Sequence, residues 1–335
     1  MKFITIFMIS FFIVSLVGGT TLVGYSSYTY DKLLTERVHE HLEDIVKIRT
    51  NHVNTFLEGK KDIVIVFASD GFIKDSLNSL KKGANSTQIA VELKEDILVN
   101  KLQTDKDLYE IDILDTSGIV VGTTQIEKEL GEDKSNDLLF LNGRRGLYIK
   151  GAFYDDEFER DAIAISAPIT DEDEFLGVIL IKMTLDQLKE IVISAGKFSQ
   201  YEELYILDEN SFMITPSDFL KGENKGVLTQ KVDTENAENC LDTTSVNDDR
   251  KNTRINYFLN YRGEEVVGIY NHIPDTSWCL LVEIEVEGGL EIPQKEFFKS
   301  QIIFYIFVIT LLTLIGLFAG RYLDKRFLLK EKGGK

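Results

Sequence analysis

The chain has 335 residues, and its 37 lysine and arginine residues are outnumbered by 55 aspartate and glutamate residues, for a formal net charge of −18. Nucleic acids and anionic lipid surfaces repel so acidic a chain, which argues against either as a partner. The length is sufficient for two packed domains.

Two apolar runs without any charge lie near the ends of the chain, from Phe3 to Val23 and from Gln301 to Gly320. Each has about 20 residues, the length with which an α-helix crosses ~30 Å of hydrocarbon. Six basic residues follow the second run: Arg321, Lys325, Arg326, Lys330, Lys332 and Lys335. Because basic flanks stay in the cytoplasm, we expect both termini inside and residues 26–300 outside.

These runs predict transmembrane helix 1 in residues 1–25, a connector with transmembrane helix 2 in 291–320, and a basic cytoplasmic tail in 321–335. The alternative for the first run is a cleaved signal peptide. Its apolar stretch is longer than a usual signal core and no clear A-x-A cleavage site follows, which favours an anchor.

A helical pattern occupies residues 26–104. The apolar stripe has helical spacing and consists of Leu34, Val38, Leu42, Ile45, Val53, Phe56 and Leu57. This spacing predicts a long amphipathic helix that emerges directly from the membrane. Further helices are expected up to about residue 100, with a loop at residues 81–87.

Alternating strand patterns begin at residue 108 and then recur. YEIDILDTSGIVVGTT (109–124) predicts a hairpin, and DAIAISAPI (161–169) and FLGVILIKMTL (175–185) predict two more strands. ILDENSFMI, VGIYNHI and WCLLVEIE later repeat ILDTSGIVV, IAISAPI and LGVILIKM in the same order. The sequence therefore predicts a duplicated α+β module, each copy with about five antiparallel strands, at 105–195 and 196–290.

Cys240 and Cys279 are the only cysteines, and both fall in the segment expected outside the membrane. In an oxidising compartment they are a disulfide candidate. The alternative is two independent buried thiols, and the sequence leaves both open.

Motifs for enzymatic chemistry are absent from the sequence. It contains no phosphate loop, nucleophile elbow or His-Glu-x-x-His element. His39 and His41 lie two apart on a helix and so point to different faces. The acidic runs 155–159 and 171–174 lack the ligand spacing of a calcium loop. We expect no enzyme, no metal site and no cofactor.

Four segments, 109–124, 161–185, 203–217 and 260–285, in this order and between two spans, resemble the double Cache sensor domain of bacterial and archaeal histidine kinases and chemoreceptors. The resemblance covers about residues 30–295. It implies an α+β fold: a long N-terminal helix and two tandem PAS-like antiparallel-sheet modules, flanked by two transmembrane helices.

In that family the membrane-distal module, here 105–195, usually holds the ligand. Polar residues around its strands are the candidate ligand-binding set: Arg144, Arg145, Tyr148, Lys150, Tyr154, Ser166 and Lys182. Amino-acid-binding members place an aspartate where this chain has Lys182, so the cationic set favours a carboxylate or another small anion. The alternative for each residue is a structural role, as a solvated turn, a snorkelling lysine or ordinary sheet packing.

The resemblance implies a membrane-anchored extracytoplasmic sensor that binds a small ligand and signals across the membrane. We expect the output domain, a histidine kinase or chemotaxis module, to be missing from this sequence, as in a truncated receptor, or to belong to a separate partner. Paired long helices favour a homodimer. The alternative is a stand-alone membrane-tethered module that docks to another membrane protein.

Overall fold

The computed structural model describes residues 2–125, 130–193, 197–222, 224–242 and 255–332. The chain divides into two compact units. One comprises Leu42–Ile284, and the other combines Met1–His41 with Glu285–Lys335. The predicted C-terminal tail is helical as far as Lys332, and residues 333–335 lie outside the described part.

The α-helices of the described residues, in chain order, are α1 (Lys2–Ala68), α2 (Gly71–Lys81), α3 (Ser86–Asp96), α4 (Leu138–Gly143), α5 (Asp186–Ile193), α6 (Glu235–Leu241) and α7 (Ile292–Lys332). Helix α1 continues through Gly59 and past residue 60, since no proline interrupts it. Asp70 then starts α2, since its side chain accepts hydrogen bonds from the backbone N–H groups of Phe72 and Ile73. Short π-helical turns follow α3 at Ile97–Lys101 and precede α7 at Glu287–Glu291.

The strands of the described residues are β1 (Leu108–Asp115), β2 (Val120–Thr123), β3 (Tyr148–Asp155), β4 (Arg160–Asp171), β5 (Glu174–Thr184), β6 (Glu202–Leu207), β7 (Asn256–Leu259), β8 (Glu265–His272) and β9 (Cys279–Glu285). They form two sheets, with strand orders β2-β1-β5-β4-β3 and β6-β9-β8-β7. We call the part of the chain around the five-stranded sheet the distal module, and the part around the four-stranded sheet the proximal module. The α+β class predicted from the sequence is confirmed.

The two faces of the distal sheet pack against different helices. Leu93 of α3 contacts the face that carries Ile113. Helix α4 covers the opposite face, where Leu139 and Phe140 join Leu114 in a buried apolar cluster. Successive side chains of a strand point to opposite faces, so the sequence alternation decides which residues lie under α4.

Among the described residues the proximal sheet has four strands, compared with the five expected. The segment after β6 turns back, and the Ile214 N–H donates to the Ile206 carbonyl at 2.8 Å, but it forms an isolated bridge between Leu207 and Met213 and no strand. Helix α6 covers one face of this sheet, where Ala237 and Cys240 pack with Tyr205 and Leu281. Each module is therefore an antiparallel sheet with a short helix on one face.

In the second unit, α7 packs against the first part of α1. The hydroxyl of Tyr305 donates to the carbonyl oxygens of Ser15 (2.7 Å) and Leu16 (3.0 Å). The ring of Tyr305 occupies the space over Gly19 that any side chain there would fill, a small-residue contact typical of membrane helices. By length and composition, the helices containing Phe11–Ala68 and Glu287–Ala319 could each cross a membrane.

Candidate functional site

Polar residues lie on the face of the distal sheet that α4 covers. The alternation of β1 places Glu110, Asp112 and Leu114 on this face. Glu110 pairs in register with Lys182 of β5, and Asp112 pairs with Leu180. Both carboxylates are completely buried, so their charges need partners inside the protein.

We call Tyr109, Glu110, Asp155 and Lys182 the distal polar cluster. The Lys182 ammonium lies 2.9 Å from Glu110 Oε2 and 3.2 Å from Asp155 Oδ2. The Tyr109 hydroxyl donates to the same Asp155 oxygen at 2.8 Å. One buried cation thus holds together strands β1, β3 and β5.

The ionisation of this cluster is fixed by its charges. Burial alone would lower the pKa of Lys182, but Glu110 and Asp155 outweigh it and raise the pKa. Burial would raise the pKa of Asp155, but the hydrogen bond from Tyr109 and the charge of Lys182 lower it. Burial and the neighbouring Asp155 raise the pKa of Tyr109. Lys182 and Asp155 therefore stay charged around neutral pH.

One carboxylate oxygen of this cluster has no hydrogen-bond partner among the described residues. Glu110 Oε2 accepts hydrogen bonds from Lys182 (2.9 Å) and from Gln125 Nε2 (3.0 Å). Glu110 Oε1 is buried and, within the described residues, accepts no hydrogen bond. Leaving a buried carboxylate oxygen unpaired costs about 1–3 kcal/mol or more.

A second ion pair attaches the segment between β2 and α4 to strand β1. Lys134 Nζ lies 2.9 Å from Asp112 Oδ2, and the Thr123 hydroxyl donates to the other oxygen of Asp112 at 2.7 Å. Asp112 lies two residues along β1 from Glu110, on the same face of the sheet. Residues 126–129 of the same connection lie outside the described part of the chain.

Four of the seven predicted ligand-binding residues share neighbouring positions on this sheet. Tyr148 pairs in register with Ser166, and Lys150 pairs with Ala164, which in turn pairs with Lys182. The buried Ser166 hydroxyl donates to the Leu139 carbonyl of α4 at 2.7 Å. Tyr148 is half-buried against the cluster under α4. The ligand-binding roles themselves stay predictions.

The other three predicted residues lie apart from the cluster. Arg144 is exposed at the end of α4, with its guanidinium over the rings of Phe140 and Phe175. Arg145 is exposed beside it. Tyr154 has 51% of its surface exposed.

The expectation of a cationic pocket changes in one respect. Lys182 is not a free cation, because Glu110 and Asp155 neutralise it. Glu110 and Asp112 were missed by sequence reasoning that searched for cations. The signal was present: both are charged residues in phase with the apolar Leu114 of the same strand.

The proximal module carries a related group on the α6 face, and we call Glu203, Tyr205, Tyr261 and Glu283 the proximal polar cluster. Glu203 of β6 and Glu283 of β9 pair in register, as Glu110 and Lys182 do in the distal sheet. The Tyr205 hydroxyl donates to Glu283 Oε1 at 2.5 Å, and the Tyr261 hydroxyl donates to Glu203 at 2.9 Å. The proximal pair thus consists of two glutamates, whereas the distal pair consists of a glutamate and a lysine.

Burial sets the ionisation of this pair. Burial, together with the charge of the neighbouring Glu203, raises the pKa of Glu283 to about 8, against the hydrogen bond from Tyr205 and the charge of Arg262. Burial also raises the pKa of Glu203, while hydrogen bonds from Ser217 and Tyr261 oppose it. Near neutral pH Glu283 therefore holds a proton in the folded protein.

Cys240 and Cys279 form a disulfide, with their Cα atoms 6.1 Å apart. The bond ties α6 to β9 on the same face of the proximal sheet. The closed loop spans a sequence separation of 39 residues. In the distal module the corresponding helix α4 is held by packing and by the hydrogen bond from Ser166.

Among solved structures, several sensor domains are similar to this chain. The ligand-binding domain of the Campylobacter jejuni chemoreceptor Tlp3 in complex with L-valine has a TM-score of 0.56 at 14% identity, covering 77% of this chain and 97% of that one. The ligand-binding domain of the Pseudomonas aeruginosa amino-acid chemoreceptor PctC in complex with GABA has a TM-score of 0.51 at 14% identity, covering 74% and 100%. The V. cholerae histidine kinase DctB sensor domain has a TM-score of 0.50 at 12% identity, covering 77% and 98%.

No family model matches the sequence, and no curated protein matches it. The similarity lies in the fold, and it extends over both modules and nearly the whole length of each sensor domain. The chain therefore has the tandem PAS-like fold of chemoreceptor and histidine-kinase sensor domains, the double Cache fold.

Proposed function

We propose that this chain is a membrane-anchored extracytoplasmic sensor, which binds a small ligand in the distal module and passes the signal across the membrane. The distal polar cluster carries the proposal, because it joins a sensor-domain fold to a buried carboxylate oxygen without a partner. A separate histidine kinase or chemotaxis protein would receive the signal.

The two long apolar helices support membrane attachment at both ends of the sensor domain. Six basic residues after the second apolar run favour a cytoplasmic C-terminus and an external domain. The disulfide between Cys240 and Cys279 agrees with an oxidising, extracytoplasmic environment.

The geometry narrows the ligand chemistry. Glu110 Oε1 would accept a hydrogen bond from an ammonium or another N–H group, and Lys182 would contact an anionic or acceptor group. A ligand with both groups, the size of an amino acid, satisfies both. The amino-acid ligands of Tlp3 and PctC have this composition. A simple carboxylate would supply only the contact with Lys182.

The ligand would act by population shift. It can favour one arrangement of the distal module only if it binds that arrangement more tightly than the alternative. Lys182 connects strands β1, β3 and β5, so a ligand that takes over one of its partners would change how these strands are held together.

A thermal-shift screen of the full chain in detergent micelles tests the proposal, with amino acids, carboxylates, amines, purines and sugars as probes. A ligand at 100 times its Kd stabilises the folded state by about 2.7 kcal/mol, which raises Tm measurably. The variant to compare is Glu110→Gln with Lys182→Gln, which removes both charges together and so leaves no buried charge from this pair.

The matched control is Lys81→Gln with Glu174→Gln, an ion pair on the protein surface. We expect a probe that stabilises the wild type and the control but not the distal double variant. Stabilisation that survives in the double variant would contradict the distal site. Failure of every probe class to stabilise the wild-type chain would contradict the sensor proposal and favour a docking module.

A further inference from the structure

A cavity of about 660 Å³ lies where the distal and proximal modules meet. The start of β3 forms one wall, with Tyr148 and Gly151. The turn after β6 contributes Glu209, and the turn before β9 contributes Asp275 and Trp278. Its volume lies in the range of small-molecule sites, roughly 300–1,000 Å³.

One carboxylate at this cavity has no cationic partner among the described residues. Lys61 of α1 lies 2.7 Å from Glu58 Oε1 and 3.3 Å from Asp275 Oδ2, so its ammonium is already paired. Within the described residues Glu209 forms neither an ion pair nor a side-chain hydrogen bond. The lining therefore has two carboxylates for one cation and disfavours anions.

An aromatic wall lies beside this carboxylate. Trp278 is 2% exposed, and the half-buried Tyr148 lines the same cavity. A Cβ atom on Gly151 would lie 3.3 Å from Glu209 Oε2 and 3.8 Å from Trp278 Nε1. Because residue 151 is glycine, no side chain enters the space between the carboxylate and the indole.

We propose that this cavity binds a small organic cation, a primary amine with an apolar body. The ammonium group contacts Glu209 through a charge-assisted hydrogen bond. Its alkyl part lies against Tyr148 and the edge of the Trp278 indole. Such a ligand touches both modules and stabilises their junction.

The inference does not rest on the proposed function, because no residue of the distal polar cluster lines this cavity. It is also tested separately. Trp278 is the only tryptophan of the chain, so intrinsic tryptophan fluorescence reports on this cavity alone.

The experiment titrates the full chain in lipid nanodiscs with butylamine and records the emission of Trp278. Butan-1-ol serves as the uncharged control probe and butyrate as the anionic one. We expect a saturable change with butylamine only, and binding weakened by about tenfold in Glu209→Gln, the loss of one charged contact. Glu264→Gln, an exposed acid in another turn, should leave the titration unchanged.

Gly151→Leu provides a second variant, since its side chain would fill the cavity without altering a charge. We expect it to abolish the response to butylamine. The proposal is overturned if butylamine gives no saturable change, if butan-1-ol gives the same change, or if Glu209→Gln binds as the wild type does.

Discussion

The two modules share a fold but differ at one matched pair of positions. In the distal sheet, Glu110 lies opposite Lys182, and in the proximal sheet, Glu203 lies opposite Glu283. The Glu110, Glu203 and Glu283 side chains are buried, and Lys182 is partly buried. Lys182 of the distal pair keeps its charge through neutral pH, whereas the proximal pair avoids two buried charges by holding a proton.

The comparison shows that the strand register determines which two positions face each other. The residue types at those positions can differ between the modules. An ion pair inside a protein offers both a cation and an anion to a ligand. A protonated acid pair offers neither strongly, and it depends on pH instead. This contrast supports the proposal that the ligand binds in the distal module. In the proximal module the disulfide ties α6 to β9.

The largest expected effect comes from breaking the distal pair on one side. Lys182→Met leaves Glu110 and Asp155 buried without their cation, which should lower the free energy of unfolding by about 3–5 kcal/mol. The exposed control Lys81→Met should change it by less than about 1 kcal/mol. Chemical denaturation of the full chain measures both. Equal effects of the two variants would show that the distal pair is not buried as described.

Removal of the disulfide should have the next largest effect, confined to the proximal module. The double variant Cys240→Ala with Cys279→Ala frees a loop with a sequence separation of 39 residues. The loss should be about 2–4 kcal/mol. A reductant should destabilise the wild type by a similar amount and leave the double variant unchanged. A wild type insensitive to reductant would argue against the bond.

The proximal acid pair should make stability depend on pH. The folded-state pKa of Glu283 is about 8, above its ordinary value of 4.5. The folded protein therefore keeps a proton that the unfolded chain loses, and stability falls as pH rises from about 5 towards 8. Glu283→Gln should remove most of this dependence, which is on the order of 5 kcal/mol for a change in pKa of this size.

The distal cluster provides the contrast for that measurement. The pKa of Asp155 is lowered and that of Lys182 is raised, so neither titrates between pH 5 and 8. Glu110→Gln, which leaves Lys182 paired with Asp155, should keep the pH dependence of the wild type. If the stability of Glu283→Gln depends on pH as that of the wild type does, another titrating group is responsible.

The smallest expected effect concerns the attachment of α4. Ser166→Ala removes the hydrogen bond to the Leu139 carbonyl and should cost about 1 kcal/mol of stability. If the hydroxyl only holds α4, ligand affinity measured in the thermal-shift assay should not change. A large loss of affinity at unchanged stability would instead give Ser166 the binding role predicted from the sequence.

Much of the fold could be predicted because it depends on local patterns. The apolar stripe of α1 and the alternation of β1 and β5 specified helix and strands correctly. The absence of a fifth proximal strand among the described residues could not be foreseen. The segment 209–214 continues the strand pattern of β6, but it is joined to β6 by an isolated bridge between Leu207 and Met213 and not by a ladder.

The candidate site was harder to predict from the sequence than the fold, because it depends on which residues pair across neighbouring strands. Lys182 was identified as an unusual lysine in an apolar strand, but its partners come from β1 and β3. Register decides that Glu110 faces Lys182, and a single sequence does not state the register. The paired carboxylates Glu203 and Glu283 were missed for the same reason.

Hydrogen–deuterium exchange of the full chain in nanodiscs, with and without a ligand identified by the thermal-shift screen, tests the central claim most directly. The account predicts slowed amide exchange in residues 109–125, 148–155 and 178–184, and no slowing in the variant Glu110→Gln with Lys182→Gln. Slowing confined to residues 203–217 and 260–285, or equal slowing in that variant, would contradict a ligand site in the distal module.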